Sequence, residues 1–170
     1  SYPHKNIETL LHAFSFFVRE HPDANLVLVG PQNEFTQRLK DEALEIDIPA
    51  DRIHFLGFVS DSELSELYQN AQMYIIPSKL EGFGIPPLEA LQHGVPVAAS
   101  RASSIPEVLG KAATYFDPSD IESMVEAMNK LTTDKRERTR VLTESHEVLK
   151  RYKWIDSVEA LMDVYKTSLK

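Results

Sequence analysis

The sequence predicts an α/β domain of the Rossmann-like, three-layer kind built on a parallel sheet. Short β-rich apolar runs alternate with stretches of helical apolar periodicity, Ser/Glu capping boxes stand where helices would begin, and 170 residues suit one domain with a small appendage. Residues 1–5 read as a strand-to-helix loop without its strand, because a doubly wound unit puts a buried strand before its first helix. The chain is therefore expected to be a piece of a longer protein.

Each element has its own warrant. Ile7, Leu10, Leu11, Phe14 and Val18 line one face of a helix that Asn6 can cap and His21-Pro22 ends. Residues 25–30 form a strand, Phe35, Leu39 and Ala43 mark a second helix, and residues 53–56 form a second strand. Leu64, Leu67, Tyr68 and Ala71 share the apolar face of a third helix, opened by the capping box of Ser60 and Glu63. A strand at 73–76, a loop at 77–84, a short helix at 85–93 and a strand at 96–99 follow. Capping boxes at Ser104/Glu107 and Ser119/Glu122 place further helix starts near Ile105 and Asp120. The remainder is helical. Trp154, Val158, Leu161, Met162 and Tyr165 form a stripe on the last helix that reads as core, or as a contact to a domain outside the chain.

The residue balance removes several function classes. A net charge of −8 argues against a general nucleic-acid binder. The charge is uneven: residues 1–129 carry 8 basic and 19 acidic groups, and 130–170 carry 10 basic and 7 acidic. An anion site in the first part must be built locally, against the average field. With no cysteine there is no disulfide framework and no thiolate nucleophile or metal ligand. The apolar runs are too short to cross a bilayer and no secretory signal opens the chain, so a cytoplasmic location is expected. Lys135, Arg136, Arg138 and Arg140 read as a solvated helix face, with Asp134 and Glu137 interspersed, rather than as a surface for acidic lipid or acceptor.

Ligands of parallel α/β sheets gather beyond the carboxyl ends of the strands. Lys5, Lys79 and Arg101 lie in loops at that edge. The informative stretch there is Pro77-Ser78-Lys79-Leu80-Glu81-Gly82-Phe83-Gly84-Ile85-Pro86-Pro87-Leu88-Glu89. Gly82 and Gly84 let the backbone approach a ligand, and proline in the first helical turn costs no hydrogen bond. The N–H groups of Phe83, Gly84 and Ile85 would then face an anion at the helix N-terminus. Two flanking carboxylates suit hydroxyl groups on either side of a phosphate, as a sugar nucleotide offers. A turn placed there by packing alone, with Glu81 and Glu89 as solvated charges, is the competing reading.

The stretch from Glu81 to Glu89 resembles the Glu-x7-Glu motif of the retaining, group 1 glycosyltransferases of family 4. Further pieces match in order: Lys5-Asn6, residues 26–30, residues 53–59, residues 74–78, Gly94-Val95-Pro96-Val97 and Ile105-Pro106-Glu107-Val108. The resemblance covers residues 1–131, leaving 132–170 as helices that pack on that unit and towards an absent N-terminal domain. It implies the C-terminal, donor-binding half of a GT-B enzyme that transfers a hexose from GDP-mannose or a UDP-sugar in glycan biosynthesis.

By the same resemblance, Glu81 and Lys5 are the catalytic pair. Lys5, Glu81, Gly82, Phe83, Gly84 and Ile85 hold sugar and diphosphate, Glu89 holds the ribose, and Phe58, Val59 and Leu64 border the base. The family usually places a second basic diphosphate ligand, often arginine, at the end of its first strand, so in this chain that residue is expected to be absent or replaced. A glycan or lipid-linked acceptor would be held by the missing domain, and peripheral association of the whole enzyme with the inner membrane face is compatible with that. No Asp-x-Asp occurs, so no cofactor or metal is expected. The alternatives are a nucleotide-sugar epimerase of related architecture, whose acid/base groups are not evident, and a receiver-like interaction domain. The latter needs an aspartate at a strand end, but Gly57 follows the 53–56 strand.

Overall fold

The computed structural model describes residues 3–168, apart from the side chain of Trp154. The first two residues of the expected opening loop, and the Trp154 member of the final stripe, lie outside the described residues. A 3₁₀ turn at Pro3–Lys5 leads into α1 (Ile7–Glu20), which buries Leu10, Leu11, Phe14 and Val18 as its spacing requires. Then come β1 (Leu26–Val29), α2 (Glu34–Glu45), β2 (Ile53–Leu56) and α3 (Asp61–Asn70). The second half runs β3 (Tyr74–Ile76), α4 (Ile85–Gln92), β4 (Val97–Ser100), α5 (Ile105–Leu109), β5 (Thr114–Phe116), α6 (Ile121–Thr133), α7 (Lys135–Arg151) and α8 (Trp154–Ser168).

All strand pairings are parallel. β1 pairs with β2 from Leu26↔Ile53 to Val29↔Leu56, and β3, β4 and β5 pair in that order as a separate trio. Val97, Ala98, Ala99 and Ser100 of β4 all have 0% exposure, although successive side chains point to opposite faces, so both faces of the trio are covered. α6 packs on β4, β5 and α1, while α4 and α5 pack on β4 and α7. The three-layer expectation follows from that burial.

Several local expectations change. Asn6 stands at the N-cap of α1 but makes no capping bond, its Oδ1 accepting from the Thr9 hydroxyl instead. Ser104 likewise leaves α5 uncapped, and α6 is capped by Asp120 rather than Ser119: the Asp120 carboxylate accepts from the Glu122 and Ser123 N–H groups. An ionised acceptor two residues before those donors outcompetes a hydroxyl further back. Strand β5 is an element the sequence reading lacks. The apolar stripe of α8 is not core: Ile155, Val158, Leu161, Met162 and Tyr165 are all half or more exposed.

Two of the four basic residues on α7, Arg138 and Arg140, are tied into the fold, while Lys135 and Arg136 stay exposed. Arg138 donates to the Gln72 carbonyl, and Arg140 donates to the carbonyls of Lys111 and Ala113 at 2.6 and 3.0 Å. Arg140 also forks onto Glu137, with both bonds at 2.8 Å, while Thr114 Oγ1 of β5 donates to the same carboxylate at 2.7 Å. Hydrogen bonds from Arg140, then from Thr114, hold the Glu137 carboxyl at about 2 against a burial effect of opposite sign. A carboxylate depressed in the folded state stabilises it above its unfolded value of 4.5, and that contribution is lost as pH falls from there through about 2. Glu137→Gln is expected to destabilise the fold by about 1–3 kcal/mol at neutral pH, and to flatten the stability profile between pH 5 and 2 in urea titrations. An unchanged acid slope would contradict this clamp.

Candidate functional site

The site assembles where three loops meet beyond β3, β4 and β5. Asn6 ties the opening turn to the loops after β3 and β5: its Nδ2 donates to the Pro77 carbonyl at 3.1 Å and the Pro118 carbonyl at 2.8 Å, and its Oδ1 accepts from Thr9 at 2.8 Å. The residue is 3% exposed and sits at φ 58, a left-handed conformation that asparagine tolerates better than most residues. The backbone N–H of Lys79 donates to the His4 carbonyl at 2.8 Å, a second tie between the first loop and the 77–84 loop.

These ties set Lys5 against Glu81. Lys5 Nζ donates to both oxygens of Glu81, at 2.7 and 2.9 Å, and Ser78 Oγ donates to Oε1 at 2.7 Å. The Glu81 side chain is 14% exposed and that of Lys5 39%, so the carboxylate is the inner member and the ammonium faces outward. The ammonium still has a third N–H for an incoming oxygen.

Gly84 turns the chain into α4 at φ 91, where a side chain would be strained; Pro87 Cγ would stand 3.7 Å from an added Cβ. Gly82 has no such need. It is exposed, lies outside the positive-φ region, and a Cβ there would meet open space. Among the described residues, the N–H groups of Phe83, Gly84 and Ile85 have no acceptor. The Phe83 and Ile85 side chains are 43% and 49% exposed, and the Phe83 ring meets Tyr152, between α7 and α8, edge-on at 5.2 Å.

Glu89, on the first turns of α4, is reached from α3. Tyr68 OH donates to its Oε2 at 3.2 Å and lies 3.4 Å from the Pro86 carbonyl, while the Tyr68 ring stacks on His93. Burial, then the neighbouring charges of Glu81 and Glu89, push the Tyr74 hydroxyl well above its ordinary value. Burial, then Tyr74 and Glu89, do the same to Tyr68. The Tyr68 phenol therefore stays protonated as the donor to Glu89.

The structure thus brings Lys5, Glu81, Gly84 and Glu89 to one edge, as expected. Leu64 lies one turn before Tyr68 on α3 and packs against the core, Val59 is half-buried, and Phe58 is fully presented at 87% exposure. Among the described residues, no hydrogen bond or ion pair joins these three to Glu81 or Glu89. Arg101 does not join the site: its guanidinium lies over the Tyr115 ring, 4.9 Å from the centroid. Ser78, Tyr68 and Tyr74 were missed as site residues. Ser78 lay within the informative stretch, whereas the tyrosines carried only an apolar-face signal.

Parallel sheets covered by helices, with unpaired N–H groups and two carboxylates beyond the strand ends, make a Rossmann-like domain of the kind that forms the C-terminal half of GT-B glycosyltransferases. The model of the glycosyl transferases group 1 family matches residues 2–165. The chain belongs to that family. It is 34% identical over 134 residues to the serotype-specific mannosyltransferase WbdA of Escherichia coli, a match covering 78% of this chain and 16% of that protein. The chain spans less than half the length of each of the first curated relatives it matches. The fold superposes with a TM-score of 0.76 on the C-terminal domain of a glycosyl transferase group 1 family protein (LpcC) from Francisella tularensis, at 22% identity, covering 89% of this chain and 80% of that one. It superposes with a TM-score of 0.81 on Anabaena HepE in complex with UDP and glucose, at 18% identity, covering 99% of this chain and 46% of that one.

The Asn6 hub makes a direct prediction. Asn6→Ala leaves the Pro77 and Pro118 carbonyls without their donor, with an expected loss of about 2–3 kcal/mol in denaturant unfolding. Stability unchanged within error would show that the amide is dispensable.

Proposed function

We propose that this domain binds the donor of a retaining, metal-independent hexosyltransferase that uses a nucleotide-diphosphate sugar of the GDP-mannose or UDP-sugar type. The observation that carries this reading is the Lys5–Glu81 pair beside the free N–H groups at the start of α4. In this reading Lys5 and the N–H groups of Phe83, Gly84 and Ile85 take the diphosphate, Glu81 accepts hydroxyls of the transferred sugar, and Glu89 accepts those of the ribose. Gly82 contributes backbone to the same loop. The base lies against Phe58, Val59 and Leu64.

The chemistry suits the electrostatics. As the anomeric bond breaks, negative charge grows on the leaving phosphate, and donors aimed there stabilise the transition state more than the ground state. Lys5 can deliver its third N–H to that oxygen without leaving Glu81, so diphosphate and sugar carboxylate share one cation. The acceptor, a glycan or lipid-linked saccharide, is assigned to residues outside this chain, and peripheral membrane contact of the whole enzyme belongs to the same proposal. Among the described residues no helix is long and apolar enough to cross a membrane.

Calorimetric titration of GDP, UDP, GDP-mannose and UDP-glucose into the chain tests the reading. Binding at about 1 mM or weaker is expected, the weak end of enzyme–substrate affinities, because half of the cleft is supplied from elsewhere. Lys5→Ala and Glu89→Ala are each expected to weaken the nucleoside diphosphate about tenfold, whereas Glu81→Ala spares it and weakens only the sugar nucleotide. Indifference of every nucleotide to Glu89→Ala would rule the assignment out. In a complete enzyme carrying this domain, a chelator is expected to leave turnover intact; abolished turnover would refute metal independence.

A further inference from the structure

Glu81 is held at both ends by hydroxyl groups that the reading above does not use. At the carboxylate, Ser78 donates from a residue only 2% exposed, and Ser100, wholly buried on β4, donates in turn to the Ser78 carbonyl. At the Glu81 main-chain carbonyl, Ser103 Oγ and Ser104 Oγ both donate, at 2.9 and 3.0 Å, from the loop between β4 and α5. Two side chains converging on one carbonyl is a strong restraint on a loop whose neighbouring Leu80 and Gly82 are exposed.

Both residues forgo a local preference to make these bonds. Ser103 sits at φ 54, left-handed backbone that a serine seldom adopts. Ser104 stands at the N-cap of α5, where its hydroxyl would ordinarily accept from the first-turn N–H groups, and it caps nothing. Its hydroxyl serves as donor to Glu81 instead. A fixed carbonyl fixes the Cα of Glu81, and with Ser78 on the carboxylate the whole side chain is set before a ligand arrives. Preorganisation of this kind lowers the ordering cost of binding.

We propose that Ser103 and Ser104 are positioning residues for the sugar end of the donor site, acting through Glu81. The inference rests on the assignment of Glu81 to the sugar hydroxyls. The readout is the ratio of the sugar-nucleotide Kd to the nucleoside-diphosphate Kd, using GDP-mannose with GDP and UDP-glucose with UDP. Ser103→Gly combined with Ser104→Ala removes both hydroxyls, and glycine relieves the strained φ, so folding is spared. The ratio is expected to rise about fivefold while the nucleoside-diphosphate Kd stays within twofold, and Ser104→Thr, which keeps a hydroxyl, is expected to hold the wild-type ratio. Ser104→Ala alone, melting as wild type does, is expected to give an intermediate ratio. Glu81→Ala is the control. If it leaves the ratio unchanged, or if none of the four nucleotides binds the wild-type chain, the assignment of Glu81 fails and the proposal with it. If Glu81→Ala raises the ratio but the double variant does not, or weakens both ligands equally, the positioning role alone is overturned.

Discussion

The buried amide of Asn6 is the interaction on which this domain's ligand edge depends. Parallel strands end in loops that share no ladder, so nothing in the sheets themselves fixes the distance between one strand end and the next. Asn6 supplies that distance by donating to carbonyls at positions 77 and 118 from a single side chain. With Nδ2 so placed, Oδ1 accepts from the Thr9 hydroxyl rather than from a backbone N–H of α1, and Asn6 sits in left-handed backbone. Lys5, one residue earlier, inherits its position from that hub, and its ion pair with Glu81 is then a local consequence.

The charge of the site and the charge of the chain answer to different rules. A body with a net charge of −8 repels a diphosphate at long range, but within a Debye length of about 8–10 Å the local donors decide. Lys5, partly screened by solvent, is matched here by Glu81 rather than left as a lone cation. Lys5 and Glu81 together are close to neutral, and in the proposed reading phosphate is drawn by Lys5 and by the oriented N–H groups at a helix start. Glu89 keeps its place through Tyr68, a neutral donor that burial prevents from ionising. In the proposed reading these acidic groups serve as hydroxyl acceptors while hydroxyl donors, and Lys5 at Glu81, hold them in place.

Much of this was legible in the residues. The α1 face, the capping box of α3, the placement of β2 and the turn at Gly84 follow from periodicity and local stereochemistry, which act over a few neighbours. A motif and a loop position single out Glu81, Glu89 and Lys5 in the sequence, and the structure sets Lys5 against Glu81. What escaped was long-range hydrogen bonding. Nothing in the sequence around Ser104 says that its hydroxyl will reach a carbonyl 23 residues away instead of its own helix. The same holds for Asn6, whose partners lie 71 and 112 residues on, and for Thr114 and Glu137. The exposed α8 stripe removes one of its two readings, core, for a related reason: amphipathicity states that a face seeks a partner, not that the partner belongs to these 170 residues.

The choice of serine at four of the positions around Glu81 has a physical logic of its own. A carboxylate that is to accept from sugar hydroxyls must stay ionised and keep free lone pairs, yet be fixed in direction. Additional cations would secure it but would also compete with the sugar for its oxygens and fill the site with positive charge. Hydroxyl donors at the carbonyl of Glu81, and one at Oε1, restrain the residue while leaving much of the acceptor capacity of the carboxylate open. Lys5 is then the one charged partner, and it faces the edge where a phosphate would sit. If Lys5 shifts towards that phosphate, Glu81 keeps Ser78 and its anchored backbone. The carboxylate can lose part of its counter-charge to a ligand without losing its geometry.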